Sequence, residues 1–389
     1  MQLCFFFPKG KPMIYFDNAS TSFPKAPGVS DGIKKFLDES CFNINRGTYA
    51  GAFAASETVL ETRRLLADFF SCKKNRNVVF TGGVTHSLNI VLNGVLEGGD
   101  TVLTSSMEHN AVIRPLTKLA KQGAVTEFVK CNADGEIILE DLEKKLKQKP
   151  KLLVITHASN ICGTIMPIAQ IGEMCKQYGV LFAVDAAQTA GVVEINAERD
   201  SIDMLCFTGH KGMLAAQGIG GCVFSEQAAK VVKPFVYGGT GSFSDSLEMP
   251  PLLPDRFEAG TLNLPGIAGL NRAVTYLNET GIDNIRKKES ELQDYFEAGL
   301  QEIKTVKTAG AGSKNRCAVT SLNFTEIDNA EASYRLDAEF GIMTRSGLHC
   351  APLAHKTIGT YPKGTVRVAF GHKNTKEEVD VLLGAIKKL

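Results

Sequence analysis

The chain has 389 residues, 44% of them hydrophobic and 22% charged, which suits a soluble globular protein with a large core and two unequal domains. Lys plus Arg number 43 and Asp plus Glu 42, so the net charge of +1 argues against a general pull toward nucleic acid or anionic membranes. No apolar run approaches the roughly 20 residues that span a bilayer, and the opening MQLCFFFPKGKPMIYF has no basic stretch ahead of its apolar patch, which makes it a poor signal peptide.

In chain order, an N-terminal arm over 1–26 is expected to pack with a smaller domain or at its junction. From residue 78 strands and helices alternate. NVVFTGG predicts a strand and turn, THSLNIVLNGVL a helix, DTVLTSS a strand and AVIRPLTKLAKQG a helix. AVTEFVKC, KLLVITHAS and VLFAVDAAQ read as further strands, separated by the helical ILEDLEKKLKQK and IAQIGEMCKQYG. SIDMLCF and GIGGCVFS add two more strands. This alternation predicts an α/β domain over 27–265 with a mostly parallel sheet, its near-continuous apolar strands covered by helices on both faces. After RFEAGTLNLPG the texture changes. A helical stretch (267–305), a loop (307–315), strands AVTSLNF, GIMTRSG and GTVRVAFG, and helices near 329–340 and 375–388 predict a smaller α+β domain over 266–389. The charged runs at 140–150 and 286–293 read as solvated helix faces.

Ten cysteines stand at 4, 41, 72, 131, 162, 175, 206, 222, 317 and 350. None form CxxC pairs, which argues against a zinc site or redox dithiol and for a reducing cytoplasm.

In an all-parallel sheet, ligands sit beyond the carboxyl ends of the strands. His109, Asn160, Asp185, Gln188, Thr208, His210 and Lys211 follow or end predicted strands, and Thr85 opens a helix just after one. An isolated GHK is most often a surface cation. Together with an acid and an amide from the preceding strand, Lys211 reads instead as a chemical residue. Thr85 and Thr208 beside helix-start N–H groups suit a phosphate. Asp185 suits a protonated ring nitrogen, His109 can stack on a flat ring, and a lysine can form a Schiff base with an aldehyde. Pyridoxal phosphate has all four features. Desolvation would bring the lysine from its reference near 10.4 toward neutrality.

VDAAQTAG (184–191), FTGHKG (207–212), RFEAGTLN (256–263) and RSGLHC (345–350) resemble the class V aminotransferase family of fold type I pyridoxal-phosphate enzymes, most of all its cysteine desulfurases and selenocysteine lyases. The likeness runs from YFDNAST (15–21) to VRVAFGHKNT (366–375). It implies a homodimer with sites at the subunit interface. It also implies that Lys211 joins the cofactor, Asp185 pairs with the ring nitrogen, Gln188 bonds the ring hydroxyl and His109 stacks. Thr85, Thr208 and His210 would hold the phosphate, and Thr261 the neighbouring subunit's. Arg367 would fork the substrate carboxylate, with Arg345 and Asn160 completing the substrate set and Asn160 also lying near the cofactor's ring hydroxyl.

Cys350 decides the reaction. Arg345 and His349 beside it favour a thiolate; the other nine cysteines read as buried hydrophobes. The expected activity is desulfuration of L-cysteine to L-alanine, with a persulfide on Cys350 that passes to an acceptor thiol, a dedicated partner protein being one such acceptor. His109 would also move the substrate thiol proton. Asn45, His86 and Leu348 depart from the family pattern, which leaves selenocysteine open as substrate. An aminotransferase or kynureninase-like lyase would share Lys211 and Asp185 without needing Cys350. A non-catalytic scaffold would not keep both. A nicotinamide dehydrogenase is disfavoured, since no GxGxxG opens a helix after an early strand.

Overall fold

The computed structural model describes residues 13–44 and 47–389. The arm enters as a short strand, β1 (Ile14–Tyr15). Further on come β2 (Val78–Thr81), β3 (Thr101–Ser105), β4 (Val125–Val129), β5 (Leu152–Thr156), β6 (Leu181–Asp185), β7 (Met204–Thr208) and β8 (Gly220–Phe224). β2 to β8 form one seven-stranded sheet in the order β2-β8-β7-β6-β5-β3-β4. From β4 through β7 all neighbours pair in parallel, joined by helices such as Asn110–Ala120, Leu139–Leu146 and Ile168–Tyr178. β8 alone runs antiparallel to both its neighbours, β2 and β7. Its link to β7, residues 209–219, contains no helix to carry the chain back for a parallel return.

Every residue of β5, β6 and β7 is buried. Successive side chains feed opposite faces: Leu152 and Val154 join one apolar cluster, Leu153 and Ile155 the other. Helices on both faces close those clusters, so the strand run looks apolar at every position.

Two helices follow, Leu264–Thr280 and Ile282–Leu300, where the sequence pattern suggested one stretch. Gly281, at φ 79°, breaks them, a backbone shape that glycine adopts without strain. β9 (Val306–Ala309), β10 (Val319–Phe324), β11 (Ile342–Met343), β12 (Arg345–Gly347) and β13 (Thr365–Ala369) complete the strands. The antiparallel sheet runs β12-β13-β10-β9. β9 corrects the expected loop over 307–315: its ends, Val306 and Ala309, face inward while Lys307 and Thr308 are exposed. β1 pairs with β11, and Ile14 and Phe16 share a core with Phe296, Leu322 and Val366.

Two further expectations need correction. In the run 286–293, Glu289 and Gln293 are buried, because that helix face packs on β10; Gln293 Nε2 donates to Val319 O at 3.0 Å. Burial also pushes the Glu289 carboxyl up to about 8. Among the other cysteines, Cys41 is exposed and Cys72 and Cys131 are half-buried, so they are not core hydrophobes; Cys4 lies outside the described residues.

Candidate active site

Register brings the strand ends to one edge. Thr156 of β5 lies beside Asp185, the last residue of β6, and Asp185 lies beside Cys206 of β7. Two residues on, Thr208 ends β7 and faces Gly220. A Cβ on Gly220 would meet Phe207 O at 2.5 Å and Gly83 Cα at 2.7 Å, so only glycine lets the TGG turn close against β7. Gly83 has φ 133°, and a Cβ there would lie 3.2 Å from Thr208 Oγ1. The helix Val84–Val95 therefore begins beside Thr208, with exposed Thr85 in its first turn and N–H groups that have no intrahelical acceptor.

Lys211 is half-buried on the turn after β7. That turn is closed by Gly209 N to Ile219 O at 2.8 Å and Ala215 N to Gly209 O at 2.8 Å. The arm clamps the preceding peptide: His210 O accepts from Ser22 N at 2.9 Å, Thr21 Oγ1 at 3.0 Å and Lys25 Nζ at 2.9 Å. Burial lowers the Lys211 amine to about 8; the Asp185 charge opposes this, and Arg367 and Arg345 add to it. Asp185 is 2% exposed, and burial raises its carboxyl against the pull of Ala187 N and Lys211. Gln188 donates through Nε2 to Ala19 O at 3.1 Å.

His109 caps the helix Asn110–Ala120, its Nδ1 accepting from Ala111 N at 3.0 Å. Burial, then the charges of Lys211, Arg345, Arg114 and Arg367, lower it to about 4. It is a neutral ring whose other nitrogen carries the proton. Glu108, beside it, went unnoticed in the sequence. It is fully buried, takes Ser105 Oγ at 2.6 Å, and accepts Thr156 N at 3.0 Å through both oxygens. Burial raises it to about 8. An acid directly before a strand-end histidine was the signal available.

Arg367 on β13 is 1% exposed. Its Nη1 donates to Asn160 O at 3.0 Å, and its Nη2 donates to Asp17 Oδ1 and Ser20 Oγ, both at 2.7 Å. Asn160 Nδ2 in turn donates to His349 O at 2.8 Å. His349 and Cys350 have φ 47° and 59°, consecutive left-handed residues that L side chains rarely adopt. Asn110 N holds Cys350 O at 2.8 Å, and His349 Nε2 meets Thr365 O at 3.1 Å. The turn pushes the exposed Cys350 outward, with Arg345 Nη2 at 3.8 Å from Sγ.

Lys211, Asp185, His109, Arg367 and Arg345 thus lie within electrostatic reach of one another, hydrogen bonds tie Asn160 to Arg367 and Cys350 to Arg345, and Thr208, His210 and Gln188 stand at or just beyond the same strand ends. Thr261 stands apart. It lines a cleft of about 500 Å³ with Arg63, Thr240 and Glu258, where Arg63 and Glu258 form a buried pair. Of the departures, His86 sits in the first turn beside Thr85 and accepts from Gly82 N at 3.3 Å, Leu348 is half-buried ahead of Cys350, and Asn45 lies outside the described residues. Besides Glu108, sequence reasoning missed Asp17, Ser20 and Lys25, although YFDNAST contains the first two.

The sequence profile of the family Aminotransferase class-V matches residues 14–382. The chain belongs to the class V aminotransferase family. A "Probable cysteine desulfurase" of Pyrococcus abyssi is 33% identical to this class V chain, covering 98% of it and 95% of that protein. A protein of the same name from Mycolicibacterium paratuberculosis is 32% identical, and there the chain spans 56% of the longer relative. Among solved structures, the apo cysteine desulfurase from Thermococcus onnurineus NA1 is similar with TM-score 0.90 and 33% identity, covering 97% of this chain and 94% of that one. The S-sulfonic acid form of the Escherichia coli cysteine desulfurase CsdA has TM-score 0.87 at 25% identity, covering 96% and 94%. These matches agree with the fold type I architecture. Among the described residues no helix is long and apolar enough to cross a membrane, and no three His, Cys, Asp or Glu residues could hold a metal ion.

Proposed function

We propose that the chain is a pyridoxal-phosphate-dependent cysteine desulfurase that converts L-cysteine to L-alanine and carries the sulfur on Cys350. The observation that carries this reading is a desolvated lysine within electrostatic reach of a buried arginine, now paired with Asp17, and of a second arginine that lies against an exposed thiol. A lyase or aminotransferase of the family would need only the first two. The names of the relatives support the same choice.

The residues fit the cofactor. Asp185 is a buried acid whose carboxylate has one hydrogen bond among the described residues, from Ala187 N to Oδ1, which leaves its second oxygen for a ring N–H. His210 Nδ1 is buried without a partner among the described residues. Lys211 would bind the aldehyde, Asp185 the ring nitrogen, Gln188 the ring hydroxyl and His109 the ring face. Thr85, Thr208 and His210, with the helix-start N–H groups, would hold the phosphate. Bound there, pyridoxal phosphate supplies an aldehyde for the amine and a protonated ring that takes up an electron pair from the substrate α-carbon.

Arg367 and Asn160 orient the substrate carboxylate. A carboxylate arriving at Arg367 takes Nη2 from Asp17 and Ser20. Lys211, lowered to about 8, holds enough neutral amine near pH 7 to take the α-proton. Neutral His109 accepts or returns the proton of the substrate thiol. The Cys350 thiolate attacks the substrate sulfur: an S–S bond forms as the S–Cβ bond breaks, and the bonding pair stays with the carbon, which gains a proton and leaves as alanine. The exposure of Cys350 then lets an acceptor thiol, free or on a partner protein, collect the sulfur. In a homodimer, Thr261 would serve the other subunit's phosphate, which accounts for its distance from Lys211. The division into arm, large domain and small domain at 26 and 265 belongs to the same proposal.

The test is alanine formation from cysteine, selenocysteine and cysteine sulfinate with wild type and Cys350→Ser. The proposal expects cysteine turnover that Cys350→Ser abolishes. Turnover of selenocysteine alone would make the chain a selenocysteine lyase. Undiminished cysteine turnover in Cys350→Ser would overturn the persulfide route.

A further inference from the structure

The two arginines of the pocket meet on one hydroxyl. Ser20 Oγ donates to Asp17 Oδ1 at 2.8 Å and accepts from Arg345 Nη1 at 2.9 Å and from Arg367 Nη2 at 2.7 Å. A serine hydroxyl has one proton and two lone pairs, and all three are used here. The two guanidiniums have different second contacts. Arg367 is fully buried and held further by Asp17 and Asn160. Arg345 is half-buried, and among the described residues its guanidinium bonds Ser20 Oγ and Cys350 Sγ. Take away Ser20 and Arg367 keeps its place, whereas Arg345 keeps only the 3.8 Å contact to sulfur. That contact is too long and too exposed to fix a flexible side chain by itself.

Ser20 is itself well placed for this. Its N–H donates to Asp17 O at 3.0 Å, and Asp17 bridges to Ala369 at the end of β13. The next residues, Thr21 and Ser22, bond His210 O. One short segment therefore touches the lysine turn, the carboxylate-binding arginine and the arginine at the thiol.

Building on the desulfurase reading, we propose that Ser20 is a positioning residue whose hydroxyl yokes Arg345 to Arg367 and thereby holds the Arg345 guanidinium against the Cys350 thiol. A substrate carboxylate that displaces the Arg367–Ser20 contact then reports through the same hydroxyl to the arginine at the sulfur.

The reactive form of a thiol is the thiolate, and an adjacent cation favours it. The test is the rate at which iodoacetamide alkylates Cys350 in the holoenzyme at one fixed pH, read by mass spectrometry. Ser20→Ala should slow alkylation about threefold or more, within the range for residues in contact. Ser20→Thr, which keeps the hydroxyl, should restore the rate. Arg345→Ala should slow it too, and Ser20→Ala added to Arg345→Ala should change nothing further. A residue that merely supports the fold would slow alkylation in both backgrounds. The proposal falls if Ser20→Ala alkylates at the wild-type rate, or if its effect is as large without Arg345 as with it. Alkylation needs no turnover, so this result stands or falls separately from the desulfurase reading, which Cys350→Ser tests.

Discussion

The two groups proposed to react live in opposite surroundings. Lys211 lies at the end of a fully buried strand, its turn closed by backbone bonds and clamped by the arm, with its amine lowered by burial. Cys350 lies on two consecutive left-handed residues, exposed, with its carbonyl tied to Asn110 and its thiol near Arg345. The contrast follows from the chemistry proposed for each. An amine that must be neutral near pH 7 needs desolvation, which disfavours its charged form. A thiol that must hand sulfur to something outside needs access, which the exposure of Cys350 provides.

The sharpest way to break this contrast is to remove each group in turn. Lys211→Ala should lower turnover about 10³-fold or more, the scale of a lost nucleophile and general base. The protein should also lose the colour it gains with pyridoxal phosphate and any borohydride labelling at residue 211. Cys350→Ser should lower sulfur release about 10²-fold or more while leaving that colour intact. If both variants lost the colour, the two regions would be one cofactor site and the proposed division of labour would fail.

Acidity offers a finer probe. In the cofactor-free protein, the Lys211 amine should become reactive toward an acylating reagent as pH rises through about 8. Exposed lysines should follow near their usual value of about 10.4. The sign follows from desolvation: burial penalises the ammonium, so the neutral amine appears at lower pH. Acylation of Lys211 in step with the surface lysines would mean that the pocket does not desolvate it.

Much of this was readable in the sequence, and unevenly so. The strands β5, β6 and β7 announced themselves because burial on both faces leaves near-continuous apolar runs. Lys211, Asp185 and His109 followed from where those runs stop. β9 was not readable: four residues with only their ends buried carry no strong period. The buried Glu289 hid in a charged helix run, because the packing that turned it inward comes from β10, far along the chain. Ser20 and Asp17 were quoted within a family-like motif, yet nothing local says that they meet Arg367, 350 residues from Asp17 in sequence. Long-range pairing of polar side chains has no periodicity, so it escapes any reading that proceeds window by window.

The smallest expected effect concerns Glu108, which sits on the Lys211 side of the contrast as a second desolvated group. It is fully buried under Thr156 and raised to about 8 by burial. Its folded value lies above its unfolded value of about 4.3. Its contribution to stability is therefore fully present below pH of about 4.3 and is lost as pH rises through about 8. Glu108→Gln keeps an oxygen that can accept Thr156 N but cannot ionise. Relative to wild type, this variant should gain stability between those two pH values, by an amount on the order of 1 kcal/mol or more. Urea unfolding at pH 5 and pH 8.5 measures the difference directly. A gap between variant and wild type that is the same at both pH values would mean that Glu108 does not titrate there, and that its bonds to Ser105 and Thr156 offset its burial.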